Sequence, residues 1–354
     1  MTGAATTTLD RAAVEAVDPS GQAEDILGMP EHLRDALWRV ESAGLKPHDA
    51  PGGLVVAGMG GSAIGGALAR SALGDRATRP IAVSRSYELP GWTTSDTMVL
   101  CASYSGDTEE TLASYEAAGA VGALRTVVTT GGRLAELARE DGVPVIPLPG
   151  GFHPRAAVGY LTVAALEVAA LCGAGDSVRA EVDVTADHVE RLVAEWGPDG
   201  PEDSPPKSVA RGLNDTVPQI AGAGLTSAVA YRWKCQINEN SKLPAFAHEL
   251  PELDHNEIVG WSGAPDLGRF SAVFLDDADL HPRARQRIEL TRALIEPSAA
   301  STFVVQTQGE SATERLLSLV LLGDLVSLYL AVLRGIDPGP VEAIERLKEE
   351  LARE

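Results

Sequence analysis

Leu54-Val55-Val56-Ala57-Gly58-Met59-Gly60-Gly61-Ser62-Ala63-Ile64-Gly65-Gly66 is the stretch that decides the fold. Four apolar residues in succession suit a short strand buried on both faces, and the glycine-rich turn leads into a helix predicted over 63–73. A strand that feeds a helix through glycines brings free backbone N–H groups and the positive helix end to one point, where an anion can sit. Two other readings fit the same letters. Gly58-x-Gly60-x-x-Ala63 satisfies a dinucleotide-binding spacing, and the plainest alternative is a tight turn with no ligand at all.

Working outward, the alternation repeats. Pro30, with Leu33, Ala36, Leu37 and Val40 behind it, predicts an amphipathic helix, whereas residues 1–28 predict at most a loosely packed one. Ile81-Ala82-Val83, Met98-Val99-Leu100-Cys101-Ala102, Thr126-Val127-Val128 and Val143-Pro144-Val145-Ile146 are strand-like, and helices are predicted over 108–118 and 156–172. Gly197-Pro198-Asp199-Gly200-Pro201-Glu202-Asp203-Ser204-Pro205-Pro206 reads as a linker. Beyond it, strands predicted at 217–221, 272–275 and 302–305 are each followed by helical sequence. The fold class is therefore α/β, with parallel sheets covered by helices. The expected organisation is a tail and helix over 1–50, an αβα unit over 51–196 and a second over 207–354.

Composition narrows the function. With 354 residues, 44% hydrophobic and 22% charged, the chain has a soluble globular make-up. The longest apolar run, 316–333, carries Asp324 and reads as a buried helix rather than a membrane span. The N-terminus lacks a basic region followed by an apolar core, and Cys101, Cys172 and Cys235 form no CxxC pair, so a reducing cytoplasm is expected. Fifty acids against 29 bases leave a net charge of −21 with no basic cluster, which excludes nucleic acid as a partner. Seven histidines without HxH or HExxH spacing point to no metal site. A phosphate-bearing ligand must then be held by local dipoles.

Ser103-Tyr104-Ser105-Gly106-Asp107-Thr108-Glu109-Glu110-Thr111 supplies such a grip. The hydroxyls of Ser103, Ser105 and Thr108, with backbone amides, can meet three phosphate oxygens without a lysine. The structural alternative is an Asp107 helix cap with Glu110 closing a capping box, and both can hold together. One such loop favours the cap. Two at the ends of successive strands favour a site made of Gly60, Gly61, Ser62, Ser103, Ser105 and Thr108.

Asn238-Glu239-Asn240-Ser241-Lys242-Leu243-Pro244-Ala245-Phe246 and Glu252-Leu253-Asp254-His255-Asn256-Glu257 place a carboxylate and an imidazole sixteen residues apart in an unusually polar stretch. Singly, Glu239 reads as a solvated helix-end charge, His255 as a surface residue and Arg155 as an ordinary ion-pair partner. A base, a ring-handling histidine and a phosphate grip together suggest proton transfer on a phosphorylated sugar.

GMGGSAIGG, SYSGDTEET, GGFHPRAAVGY (150–160), NENSKLPAF, ELDHNEIVGW and the tail DPGPVEAIERLK span about 54–348. Together they resemble the bifunctional phosphoglucose/phosphomannose isomerase family, built on sugar isomerase (SIS) domains. The resemblance implies two SIS-type αβα sandwiches and isomerisation of glucose 6-phosphate to fructose 6-phosphate, with mannose 6-phosphate as a second epimer, and neither metal nor cofactor. It implies Ser62, Ser103, Ser105 and Thr108 at the phosphate, Glu239 as base and Arg155 at the enediolate. His255 would open the sugar ring across a homodimer interface. Two departures stand out: Gly339 where threonine is implied, which makes phosphomannose activity less secure, and segment 173–206, which reads as a variable, peripheral connection. The rivals are a non-catalytic phosphosugar sensor, an NADP-dependent oxidoreductase with Arg85 at the 2′-phosphate, and another phosphosugar enzyme on the same fold. The first lacks a basic DNA-binding segment, and the second leaves SYSGDTEET unexplained.

Overall fold

The computed structural model describes residues 8–351 and 353. The strands are β1 (Leu54–Gly58), β2 (Ile81–Ser84), β3 (Met98–Ala102), β4 (Leu124–Thr129), β5 (Val145–Pro147), β6 (Val217–Gly222), β7 (Phe246–Glu249), β8 (Phe270–Asp276) and β9 (Ser301–Gln306). Helices α1 (Arg11–Glu15), α2 (Gln22–Leu27) and α3 (Met29–Ser42) precede β1. Between β1 and β6 lie α4 (Gly60–Leu73), α5 (Glu109–Ala120), α6 (Gly132–Glu140), α7 (Val158–Leu171), α8 (Arg179–Trp196) and α9 (Pro205–Leu213). The remainder are α10 (Ser227–Ser241), α11 (Glu257–Gly260), α12 (Ala264–Leu267), α13 (Pro282–Ile295), α14 (Ala312–Arg334) and α15 (Glu342–Leu351).

Every strand pair is parallel, in two sheets of order β2-β1-β3-β4-β5 and β7-β6-β8-β9. The α/β architecture read from the sequence is the one observed. β1 and β3 are buried along their whole lengths, as apolar runs between two helical layers must be. In each sheet the chain leaves a central strand to one side and then crosses to the other, creating a switch point beside β1 and beside β6.

The frame is α14. Ser311 caps it, its hydroxyl accepting from Glu314 N at 3.1 Å while the Glu314 carboxylate accepts from Ser311 N at 2.8 Å, and Gly335 ends it at φ +62°. Apolar on all sides, it packs against α8, α9 and α10. By length and composition α14 and the segment 154–171 are each long and apolar enough to cross a membrane, but 94% of an apolar 18-residue stretch of α14 and 83% of 154–171 are buried inside the fold. The acid that interrupts the apolar run, Asp324, is neutralised by Arg232 of α10 through bonds of 3.0 and 2.6 Å, both side chains buried.

Four expectations need correction. Residues 8–27 are not a loose tail: Leu9, Val14, Ala23 and Ile26 are buried in the main core, and residues 1–7 lie outside the described ones. Segment 173–206 is not peripheral, because α8 buries Val182, Val189, Leu192 and Trp196 between α3 and α14. The 197–206 linker is tied down by Lys207, whose buried ammonium donates to Pro198 O (3.1 Å) and Gly200 O (2.8 Å). Finally, Thr108 rather than Asp107 is the N-cap of α5. The Asp107 carboxylate instead accepts from Arg133 N of α6 at 2.9 Å.

Candidate functional site

The two glycine/hydroxyl loops lie side by side because β1 and β3 pair in register, Gly58 against Ala102. Gly60 starts α4 at φ +49°, a conformation that favours glycine. As the first two residues of the helix, Gly60 and Gly61 have N–H groups with no acceptor among the described residues. The remaining glycines of the turn serve packing. A Cβ on Gly61 would stand 2.9 Å from Pro154 O, one on Gly65 2.7 Å from Leu161, and one on Gly66 2.7 Å from Val56. Gly61, Gly65 and Gly66, which lie outside the spacing that mimics a dinucleotide fingerprint, thus let α4 seat closely on β1, α7 and the Pro154–Ala157 turn.

The hydroxyls organise the loops as well as lining them. Ser62 Oγ accepts from Tyr104 N at 3.2 Å and so joins the first loop to the second. Ser103 is buried; its Oγ accepts from Gly106 N (3.0 Å) and meets Thr108 Oγ1 at 2.9 Å. Ser105 Oγ accepts from Asp107 N at 3.3 Å and is exposed. Tyr104, not singled out from the sequence, accepts from Phe152 N (2.9 Å) and donates to Pro149 O (3.2 Å), tying the loop to the segment that carries Arg155.

Arg155 is buried where Gly61 meets the turn Pro154–Ala157. Its Nε donates to Asn240 Oδ1 (2.7 Å) and its Nη2 to Pro338 O (2.7 Å) and Gly339 O (3.0 Å). Its Nη1 makes no hydrogen bond among the described residues and stands 3.7 Å from Glu239 Oε2. Burial pushes the guanidinium below its ordinary value, and the Glu239 charge works in the opposite direction. A planar fork clamped on two sides with one donor edge open is suited to receive an oxygen anion.

Glu239 closes the last turn of α10, its side chain 30% exposed beside the buried Arg155. The polar letters around it now have physical reasons. Asn240 is fully buried, holding Arg155 with its oxygen and donating its amide to Ser327 Oγ at 2.9 Å. Asn238 Oδ1 accepts from Ala245 N (2.9 Å), and Ser241 Oγ donates to Ser327 O (2.7 Å). Lys242 ends the helix at φ +51° and donates to the carbonyls of Glu239 and Pro338. Burial, followed by the Arg155 charge, lowers its pKa. These residues were legible only as polar neighbours of a motif; their roles needed the facing α14.

The N-terminal segment forms another wall. Asp25 accepts from His153 N at 3.3 Å, and burial raises its carboxyl pKa more than that bond lowers it. Burial and then Arg155 push His153 downward. A Cβ on Gly339 would lie 2.3 Å from Ser20 Oγ, so the space a threonine would take there is filled by another hydroxyl.

Arg155 and Glu239 are therefore in contact, and Ser62, Ser103, Ser105 and Thr108 join through the turn that abuts Gly61. His255 does not join them. It is exposed on the turn Glu252–His255 after β7, and its imidazole has no hydrogen-bond or ion-pair partner among the described residues.

The protein family described as bacterial phospho-glucose isomerase C-terminal SIS domain matches residues 202–351. A bifunctional phosphoglucose/phosphomannose isomerase of Caldicellulosiruptor bescii is 40% identical over 93% of this chain and 98% of its own length. This chain belongs to that family. A second bifunctional phosphoglucose/phosphomannose isomerase, from Aquifex aeolicus, is 35% identical over 89% of this chain and 94% of its own. Among solved structures, a hypothetical protein of Thermus thermophilus superposes with TM-score 0.72 at 17% identity, covering 97% of this chain and 94% of its own. At that identity the likeness concerns fold alone. As a phosphoglucose/phosphomannose isomerase family member, the chain carries the enzyme's two parallel SIS-type sheets, and the nicotinamide and sensor readings lose their ground.

Proposed function

We propose that this chain interconverts glucose 6-phosphate and fructose 6-phosphate, and mannose 6-phosphate and fructose 6-phosphate, through a cis-enediol. The observation that carries the reading is the open Nη1 edge of Arg155 beside Glu239, on a turn packed against Gly61 of the first phosphate-suited loop. The phosphate sits on the N–H groups of Gly60 and Gly61 and the hydroxyls of Ser62, Ser105 and Thr108, with Ser103 holding the loop in shape. Glu239 takes the C2 proton and returns it to C1, and the Arg155 edge stabilises the oxygen charge that develops between them. The sugar ring must open first. His255 has the chemistry to shuttle that proton, and its exposed imidazole, without a hydrogen-bond or ion-pair partner among the described residues, is consistent with delivery to the site of a second copy in a homodimer. We assign the chain to the cytoplasm, in keeping with three cysteines that are all free thiols.

Hydrogen–deuterium exchange at C2 in D₂O, with each aldose phosphate supplied separately, tests the mechanism. Exchange with formation of fructose 6-phosphate is expected from both. Binding of both sugars with neither exchange nor product from either would overturn the enediol mechanism. Glu239→Gln is expected to cut turnover by about 10²–10⁴ while phosphosugar binding persists; unchanged turnover removes Glu239 as base. Mixing Glu239→Gln with His255→Ala chains restores activity if the histidine crosses the interface, and an active monomer rules that out. Ser20→Ala is expected to change the preference between the two epimers by about tenfold, because the hydroxyl beside Gly339 is lost.

A further inference from the structure

A second cleft, of about 800 Å³, opens at the C-terminal ends of β6, β7 and β8. It stands to the second sheet as the candidate site stands to the first. Gly222-Ala223-Gly224 follow β6 as Gly58-Met59-Gly60 follow β1, with Met59 and Ala223 both extended and Gly60 and Gly224 at φ +49° and +56°. This is the switch point of the sheet, where open α/β folds place ligands, and the volume suits a small molecule.

The two walls differ in charge. On one side, beside Asp75 and an Arg76 held by Glu181, are two further arginines: Arg70, in the last turn of α4, and Arg85, just beyond β2. Neither has a carboxylate partner among the described residues, although the chain holds 50 acids against 29 bases. The Arg85 guanidinium carbon lies 5.2 Å from the centre of the Tyr231 ring, which holds the plane and leaves its N–H edge open. On the other side are Glu249, Asp277 and Asp279. Glu249 Oε1 accepts from Ser227 Oγ at 2.9 Å, and Arg315 pairs with Asp277 (2.8 Å) and Asp279 (2.7 Å). Carboxylates there repel a second anion but accept hydrogen bonds from hydroxyls. A dicarboxylate would satisfy the arginines and clash with this wall; a polyamine would do the reverse.

We propose that this cleft binds a small phosphorylated polyol or sugar, with its phosphate on Arg70 and Arg85 and its hydroxyls on Glu249 and Asp279. The site is separate from the proposed catalytic one and does not depend on it.

D-glucitol 6-phosphate, which has no carbonyl and is not turned over, is the probe, titrated calorimetrically into the full chain. Wild type is expected to take two equivalents per chain. Arg70→Ala/Arg85→Ala is expected to take one, with isomerase kcat/KM unchanged. Ser105→Ala/Thr108→Val loses the other equivalent and keeps the cleft's, so failure of the proposed catalytic loop is told apart from failure of the cleft. Arg85→Gln alone is expected to weaken the second equivalent at least tenfold, which keeps the test open should the double variant not fold. One equivalent in wild type, or two surviving in Arg70→Ala/Arg85→Ala, overturns the proposal.

Discussion

The two sheets of this molecule are built alike at their switch points and equipped differently. After β3 come Ser103, Ser105 and Thr108, small hydroxyls around free N–H groups; after β8 come Asp277 and Asp279, held by Arg315. The backbone device is the same, a glycine pair spaced by one residue and a left-handed glycine opening the helical segment. The difference teaches that backbone geometry prepares a place for a ligand while side chains at the next strand's end choose its charge. It also explains how an acidic protein offers a phosphate site: the first sheet keeps carboxylates off its loop by turning Asp107 away to cap α6.

The sharpest way to break the comparison is at the arginines. Arg155→Lys is expected to lower kcat by about 10²–10³, because one ammonium cannot hold Asn240 and two carbonyls while presenting a free edge. Arg315→Lys, its counterpart near the second switch point, is expected to leave kcat unchanged in the same steady-state assay. Equal losses would remove the special standing given to the first sheet.

Next in size is Gly61→Ala. The added Cβ meets Pro154 O at 2.9 Å and drives α4 from the Arg155 turn. A loss of about 1–3 kcal/mol in urea unfolding is expected, together with a fall in kcat/KM. Gly60→Ala and Gly224→Ala form a matched pair, since both sit at positive φ with open space around them. Each is expected to cost about 1–2 kcal/mol, but only Gly60→Ala should raise KM. If Gly224→Ala raises it equally, the two turns are not separable.

The smallest effect concerns the N-terminal wall. Burial holds the Asp25 carboxyl above its ordinary 3.8 in the folded chain. Above the folded value the native state therefore carries an uncompensated charge penalty, and below 3.8 both states are protonated and the penalty vanishes. Asp25→Asn keeps an acceptor for His153 N and is expected to raise Tm at pH 7, with the advantage shrinking as pH falls through the folded pKa toward 3.8. A Tm difference independent of pH would contradict the assignment.

Much of this was legible in the letters. All strands but β7 overlap the runs read as strands; β1 and β3, buried along their whole lengths, show why, since a strand covered on both faces must be apolar throughout. β7 escaped notice because, at the sheet edge, Phe246 and Glu249 are exposed and Pro244 precedes it. The burial of the N-terminal residues is hidden in the sequence for a similar reason: small residues such as Ala23 give little periodic signal, and their burial comes from packing against α14. At the site, Glu239 and Arg155 could be singled out by motif, but Asn240 could not be assigned its bond to Arg155, 85 residues away.

By itself the sequence determined the parallel α/β class, the two loops suited to an anion, the family and the residues worth watching, because periodicity, glycine placement and motif are local properties of the chain. The tertiary structure alone decided that Arg155 shows one open edge to Glu239, that the glycines of the first turn serve packing as much as ligand approach, and that α8 and residues 8–27 belong to the core. It also decided that Arg70 and Arg85 meet an acidic wall from the other half of the molecule. Those outcomes depend on which distant side chains share a cavity or a contact, and that is set by how helices such as α14 pack the two sheets together.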